Sequence, residues 1–179
     1  IEDVYREAEK EPETNKVLEV TLAKSAKWRE IIADELPLFA GVSDFIKKMS
    51  KDFALGIVSM ARREEIEYVL DRAGLSKYFP VIISAGEVEN HKPHPEIFIK
   101  GFNALDSYRI RQRHLPMVHG ECLVIEDSPP GIAGAKTARL QALGVTNTVS
   151  AEELRAAGAD AVTKNLDDWM PDSMRRVFV

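Results

Sequence analysis

The sequence predicts an α/β fold in which a doubly wound parallel sheet is covered by helices on both faces. Three observations carry that expectation. From residue 36 to the end, short uncharged β-branched runs alternate with helical patterns. The links between them are short, as consecutive strand and helix units of one sheet require. The run Cys122-Leu-Val-Ile125 ends in two acids, Glu126 and Asp127, and Ser128 stands ready to cap a helix straight after them. Ligands of open α/β sheets bind at that carboxyl edge.

Residues 1–35 contain no strand-like run, and Val17, Val20, Leu22, Ala23, Trp28, Ile31 and Ile32 recur at roughly helical spacing. Glu11-Pro-Glu-Thr-Asn15 breaks this segment into two helices, with Thr14 or Asn15 as the cap of the second. Lys24 and Lys27 read as a solvated face. Leu36-Pro-Leu-Phe-Ala-Gly41 is a breaker-containing connector, which sets a boundary between a region 1–35 and a region 36–179.

Beyond the connector, 42–50 reads as a helix with Val42, Phe45, Ile46 and Met49 on one face. Residues 54–58 form a buried strand ending at Ser59, and 62–73 a helix stopped by Gly74. Strand 81–84 leads to His91-Lys-Pro-His-Pro95, a loop stiffened by two prolines, and 96–105 is a helix with Ile97, Phe98 and Phe102 inward. The Arg- and His-rich stretch 106–120 reads as a solvated surface excursion. Strand 122–125 is expected to be buried on both faces. In the next helix Pro129 and Pro130 fit the first turn, and Gly131, Gly134 and Ala135 let it lie close on the sheet. Strand 140–145, helix 151–157, strand 161–163 and a partial final helix 166–174, started by Asp167 and Asp168, complete the alternation.

The bulk numbers narrow the class. With 45% hydrophobic and 30% charged residues over 179 positions, the chain has the composition of a soluble globular protein with one good core. The net charge of -5 and the absence of a basic stripe argue against a nucleic-acid or anionic-membrane surface. No apolar run approaches the ~18 residues that span a bilayer. The single cysteine, Cys122, cannot form an intrachain disulfide, so a reducing cytoplasm is the expected location.

Three strand ends offer polar groups in chain order: Ser59, Lys92 and the pair Glu126 and Asp127. A phosphate site uses these residue types. A hydroxyl and the N–H groups at a helix start bind phosphoryl oxygens, a lysine neutralises their charge, and carboxylates hold a bridging Mg²⁺.

The arrangement resembles the haloacid dehalogenase superfamily of phosphotransferases, in the branch that contains phosphoglycolate phosphatase and β-phosphoglucomutase. Gly56-Ile-Val-Ser59 looks like that family's second motif, His91-Lys-Pro-His-Pro95 its third, and Val124-Ile-Glu-Asp-Ser-Pro-Pro-Gly131 its fourth. Gly144-Val-Thr-Asn-Thr148 and Ala156-Ala-Gly-Ala-Asp160 look like the tail common in this branch. The resemblance implies a Rossmann-type core over 36–179 and, in 1–35, the closing helices of a helical cap. It implies that Ser59 binds the transferring phosphoryl group and that Lys92 bridges it to the nucleophile. Asp127 would be a Mg²⁺ ligand, with Glu126 a second ligand or an orienting group behind it. Lys24, just ahead of Trp28, falls near where such a cap contacts a sugar phosphate.

The large departure is the family's first motif, an Asp-x-Asp-x-Thr at the end of the first strand, which the sequence lacks. Asp167-Asp168 is a poor substitute, because capping accounts for it. The strand that carries the motif should lie between those ending at Ser59 and Asp127, and its loss would leave a gap of about 10 Å lined by unpaired backbone groups. The economical expectation is that an amino-terminal segment with that strand lies outside the 179 residues and pairs with them. The function expected is a Mg²⁺-dependent phosphatase of a small phosphorylated metabolite, acting through an aspartyl-phosphate on that segment. The alternatives are a phosphosugar mutase of the β-phosphoglucomutase kind and a non-catalytic binding module without a nucleophile.

Overall fold

The computed structural model describes residues 14–178, apart from some side chains of the first helix. The chain divides into two compact units at Leu38. In the first, α1 (Thr14–Ile31) is the described element, and Lys24 is exposed on it. The helix expected before residue 11, and the capping side chains of Thr14 and Asn15, lie outside what is described.

The second unit carries the alternation. Its elements are α2 (Val42–Met49), β1 (Gly56–Val58), α3 (Arg63–Ala73), β2 (Val81–Ile83) and α4 (Glu96–Arg111), followed by β3 (Leu123–Glu126), α5 (Pro129–Thr137), β4 (Gln141–Val145), α6 (Ala151–Ala156), β5 (Ala161–Thr163) and α7 (Pro171–Phe178). Every pairing is parallel: β1 with β2, β3 with β4, and β4 with β5. The side-chain period of two shows on β4, where Ala142 faces a cluster built on α4, α5 and α6 and Leu143 faces one built on α2 and α7. Ile66 and Leu70 of α3 cover Ile57 and Ile82. Phe98, Ile132 and Leu143 are almost wholly buried, each stabilising the fold by roughly 1.5–3 kcal/mol relative to exposure. None of the described helices is long and apolar enough to cross a membrane.

The ladder is not continuous. β1–β2 and β3–β4–β5 are separate hydrogen-bonded sheets, so β1 and β3 each have one open edge. A slot runs between them, holding two cavities of about 340 Å³ each that share Leu55, Cys122 and Leu123 as walls. Burial follows the pairing. β4, paired on both sides, is buried except at Gln141, whereas β1 and β3 contain no fully buried residue. Ile125, expected to be buried on both faces, is 38% exposed because its strand has only one neighbour.

Two further expectations are corrected. The helix expected to end at 105 continues to Arg111, since neither glycine nor proline lies between Leu105 and Arg111, and Arg109 and Arg111 favour its carboxyl end. The stretch after it is anchored: the Met117 N–H donates to Asp106 Oδ1 at 2.7 Å, and His119 stacks on Phe102 with ring centroids 4.4 Å apart. The final helix starts at Pro171, a residue suited to a first turn, and not at 166. Asp167 therefore caps no helix of its own; its carboxylate fills the space beside Gly41, at the start of α2.

Candidate active site

The site begins with the helix that follows β3. Ser128 accepts the Gly131 N–H at 3.2 Å, capping α5, and Pro129 occupies the first helical position. The same hydroxyl donates to Glu126 Oε1 at 2.7 Å. Glu126 Oε2 meets Lys92 Nζ at 2.7 Å, with the two side chains only 12% and 13% exposed. The ammonium also lies 5.0 Å from the centre of the Phe98 ring, so it is held between a carboxylate and an aromatic face. Lys92 sits in the loop that follows β2, and its contact with the end of β3 puts the carboxyl ends of both sheets on one edge. The ion pair crosses the break in the ladder.

Two glycines make room for this cluster, which differs from the expected role of close approach to the sheet. A side chain at Gly131 would overlap the Glu126 carboxyl group. A Cβ at Gly134 would lie 2.9 Å from the Phe98 ring and 3.1 Å from the Pro93 carbonyl oxygen, so this glycine admits α4 and the Lys92 loop.

Asp127 is half-buried beside Glu126. The Thr148 hydroxyl lies 2.8 Å from its carbonyl oxygen and 3.3 Å from Oδ2. Thr148, in the loop after β4, belongs in the sequence to the Gly144–Thr148 stretch alone, and no local signal marks its contact with Asp127. Ser59, at the end of β1, donates its N–H to the Ile83 carbonyl at 3.0 Å and accepts the Ala61 N–H on its hydroxyl at 3.1 Å. That is the turn-closing use of a serine. Its hydroxyl proton has no acceptor among the described residues. The structure thus joins Lys92 directly to Glu126 and places Ser59 and Asp127 at the ends of the two strands that line the slot. It leaves Lys24 on the other unit.

Among the described residues no group of three or more acids, histidines or cysteines converges on one point. Both Glu126 oxygens are engaged, by Lys92 and by Ser128, which makes Asp127 the carboxylate more available to a cation. Mg²⁺ commonly takes one or two protein carboxylates and completes its octahedron with water and phosphate. A site with Asp127 as ligand and Glu126 beside it fits that pattern in part and calls for another oxygen donor.

A family model for haloacid dehalogenase-like hydrolases matches residues 1–145. Glycerol-1-phosphate phosphohydrolase 2 of Saccharomyces cerevisiae is 37% identical over 89 residues, covering 50% of this chain and 33% of that protein. A phosphorylated carbohydrates phosphatase of Thermotoga maritima is 32% identical over 123 residues, covering 68% and 51%. The chain thus spans about a third to a half of the length of these relatives. The crystal structure of β-phosphoglucomutase from Clostridium difficile superposes with a TM-score of 0.79 at 21% identity, over 99% of this chain and 74% of that one, a likeness of fold. The family model covers well over half of the sequence and includes the three strand ends at Ser59, Lys92 and Asp127, and on that match the chain belongs to the haloacid dehalogenase-like hydrolases.

Proposed function

We propose that this chain is the larger part of the core of a Mg²⁺-dependent phosphatase for a small phosphorylated metabolite, a polyol or sugar phosphate by analogy with the relatives above. The nucleophile in this reading is an aspartate on an amino-terminal strand seated between β1 and β3. Its carboxylate oxygen attacks phosphorus and displaces the ester oxygen, which takes a proton from the second aspartate of that strand's Asp-x-Asp motif and leaves as the alcohol; that aspartate regains a proton from the water of the second step. Water then cleaves the aspartyl-phosphate, releasing phosphate and restoring the carboxylate.

The observation that carries the proposal is the Lys92–Glu126 pair, held at 2.7 Å with little exposure across the break between the two sheets. An ammonium kept there by Glu126 and Phe98 faces the place where a phosphoryl group bound at the slot's carboxyl end would develop charge, and stabilises it in the transition state. Ser59 would hold phosphoryl oxygens through its free O–H. Asp127, oriented by Thr148, would be a metal ligand, and Glu126 either a second one or the group that orients Lys92. Bound Mg²⁺ supplies charge neutralisation on the phosphoryl oxygens. Residues 1–35 would be the remaining part of the helical cap, with Lys24 as a substrate contact. A reducing cytoplasm, where Cys122 stays a thiol, suits the protein.

The test is phosphate release by the intact encoded protein from glycerol-1-phosphate and a set of sugar phosphates, with and without Mg²⁺. Turnover that needs Mg²⁺ is expected, together with its loss in Asp127→Asn while the thermal unfolding transition remains. Conversion of one sugar phosphate into its isomer without net phosphate release would mark a mutase instead. Absence of turnover on every ester would mark a binding module, and full activity in Asp127→Asn would remove Asp127 from the site.

A further inference from the structure

Lys92 lies in a loop, and loops are ordinarily the more mobile parts of a fold. Its neighbourhood contains a group that none of the phosphate-site motifs includes. Glu96, in the first turn of α4, accepts the Glu89 N–H on Oε1 at 3.1 Å, and the Asn90 N–H and Asn90 Nδ2 on Oε2 at 2.9 and 3.0 Å. Lys100, one turn further on, meets Glu96 Oε1 at 2.7 Å and donates to the Glu87 carbonyl at 2.6 Å. The start of the loop is thereby fastened to α4 at three points within four residues, Glu87, Glu89 and Asn90. Its far end becomes α4 itself, whose Phe98 lies under the Lys92 ammonium.

We propose that Glu96 is the positioning residue for Lys92: its carboxylate ties residues 89 and 90 to the first turn of α4 and so holds the lysine against Glu126. The role rests on the phosphatase reading for its consequence in turnover, but not for the tether itself. A carboxylate that accepts two main-chain N–H groups and one side-chain amide is strongly committed, because bonds to an ionised acceptor are roughly twice as strong as neutral ones. The Lys100 ammonium first, and then those N–H donors, hold the Glu96 carboxyl down at about 2, so it is ionised throughout the neutral range. A carboxylate serving only the helix dipole would need no contact with residues 89 and 90.

The experiment compares wild type, Glu96→Ala, Glu96→Gln, Lys92→Ala and the Glu96→Ala/Lys92→Ala double variant of the intact protein. Two readouts are independent of catalysis. Amide exchange at Glu89 and Asn90 should quicken by about tenfold in Glu96→Ala, as loss of a charge-assisted bond implies. Reductive methylation of Lys92, followed by peptide mass, should quicken too, with Glu96→Gln between the two extremes. The third readout is hydrolysis of p-nitrophenyl phosphate: Glu96→Ala should lower kcat by about tenfold with KM little changed, since small misplacements of a transition-state group are costly. In the Lys92→Ala background the same change should add nothing. Unchanged exchange and labelling in both Glu96 variants would overturn the tether. Multiplicative losses of kcat in the double variant would overturn the route through Lys92. A wild type without turnover but with the expected exchange and labelling changes would refute the phosphatase and leave the tether standing.

Discussion

At the scale of single residues the site is governed by what is missing from two positions as much as by what is present. Glu126 turns back over α5 only because Gly131 has no side chain there. Gly131→Ala should therefore force Glu126 off Lys92 and lower stability by about 1–3 kcal/mol, the usual cost of overpacking a close contact. Gly86→Ala is the control, since nothing lies within 4 Å of its added methyl. Thermal unfolding of the two variants checks this; equal transitions would mean that Glu126 relaxes without cost. The acids were readable from sequence because a strand that ends in Glu-Asp and runs into Ser-Pro-Pro has few local solutions. The partners of those acids were not. Lys92 is 34 positions from Glu126, and Thr148 is 21 from Asp127, separations that no local pattern encodes.

At the scale of elements, β3 shows how pairing decides what a strand experiences. Its sequence matches that of a strand buried on both faces, yet Ile125 is partly exposed and Cys122, just before it, lines the slot. Burial against its own sheet still pushes the Cys122 thiol up to about 11. At pH 8 about one molecule in a thousand then holds the thiolate, against about one in four for an ordinary thiol. Alkylation of Cys122 in the folded protein should accordingly be about a hundredfold slower than in denaturant, measured by timed trapping with a thiol reagent. Equal rates would show that this end of β3 is not packed in solution. The helix errors have a similar origin. α4 outran its expected end and α7 began late: no breaker follows Leu105 until the chain turns at Arg113, where φ is 66°, and Pro171 fits the first turn of α7.

At the scale of the whole molecule, the two parallel sheets leave the facing edges of β1 and β3 unpaired, with two cavities between them, and the proposed function fills that slot with another strand. Edges of this kind also invite aggregation when left bare. The 179 residues produced alone should be inactive as a phosphatase and prone to associate, and an added amino-terminal fragment bearing an Asp-x-Asp strand should restore a cooperative transition and phosphate release. Replacing the first Asp of that fragment should abolish turnover and leave the refolding intact. A chain that unfolds cooperatively and turns over by itself would refute this, and would place the nucleophile among residues 1–179. By itself the sequence determined the alternation of strand and helix, the helix cap at Ser128 and the residue types of the strand ends, all set by the local physics of periodicity, capping and proline. Only the tertiary structure decided that the ladder breaks between β1 and β3, that Lys92 reaches across the break to Glu126, and that Glu96 ties down the lysine's loop. Those facts depend on pairings between distant parts of the chain, which become definite once the strands stand in order and the helices are packed on them.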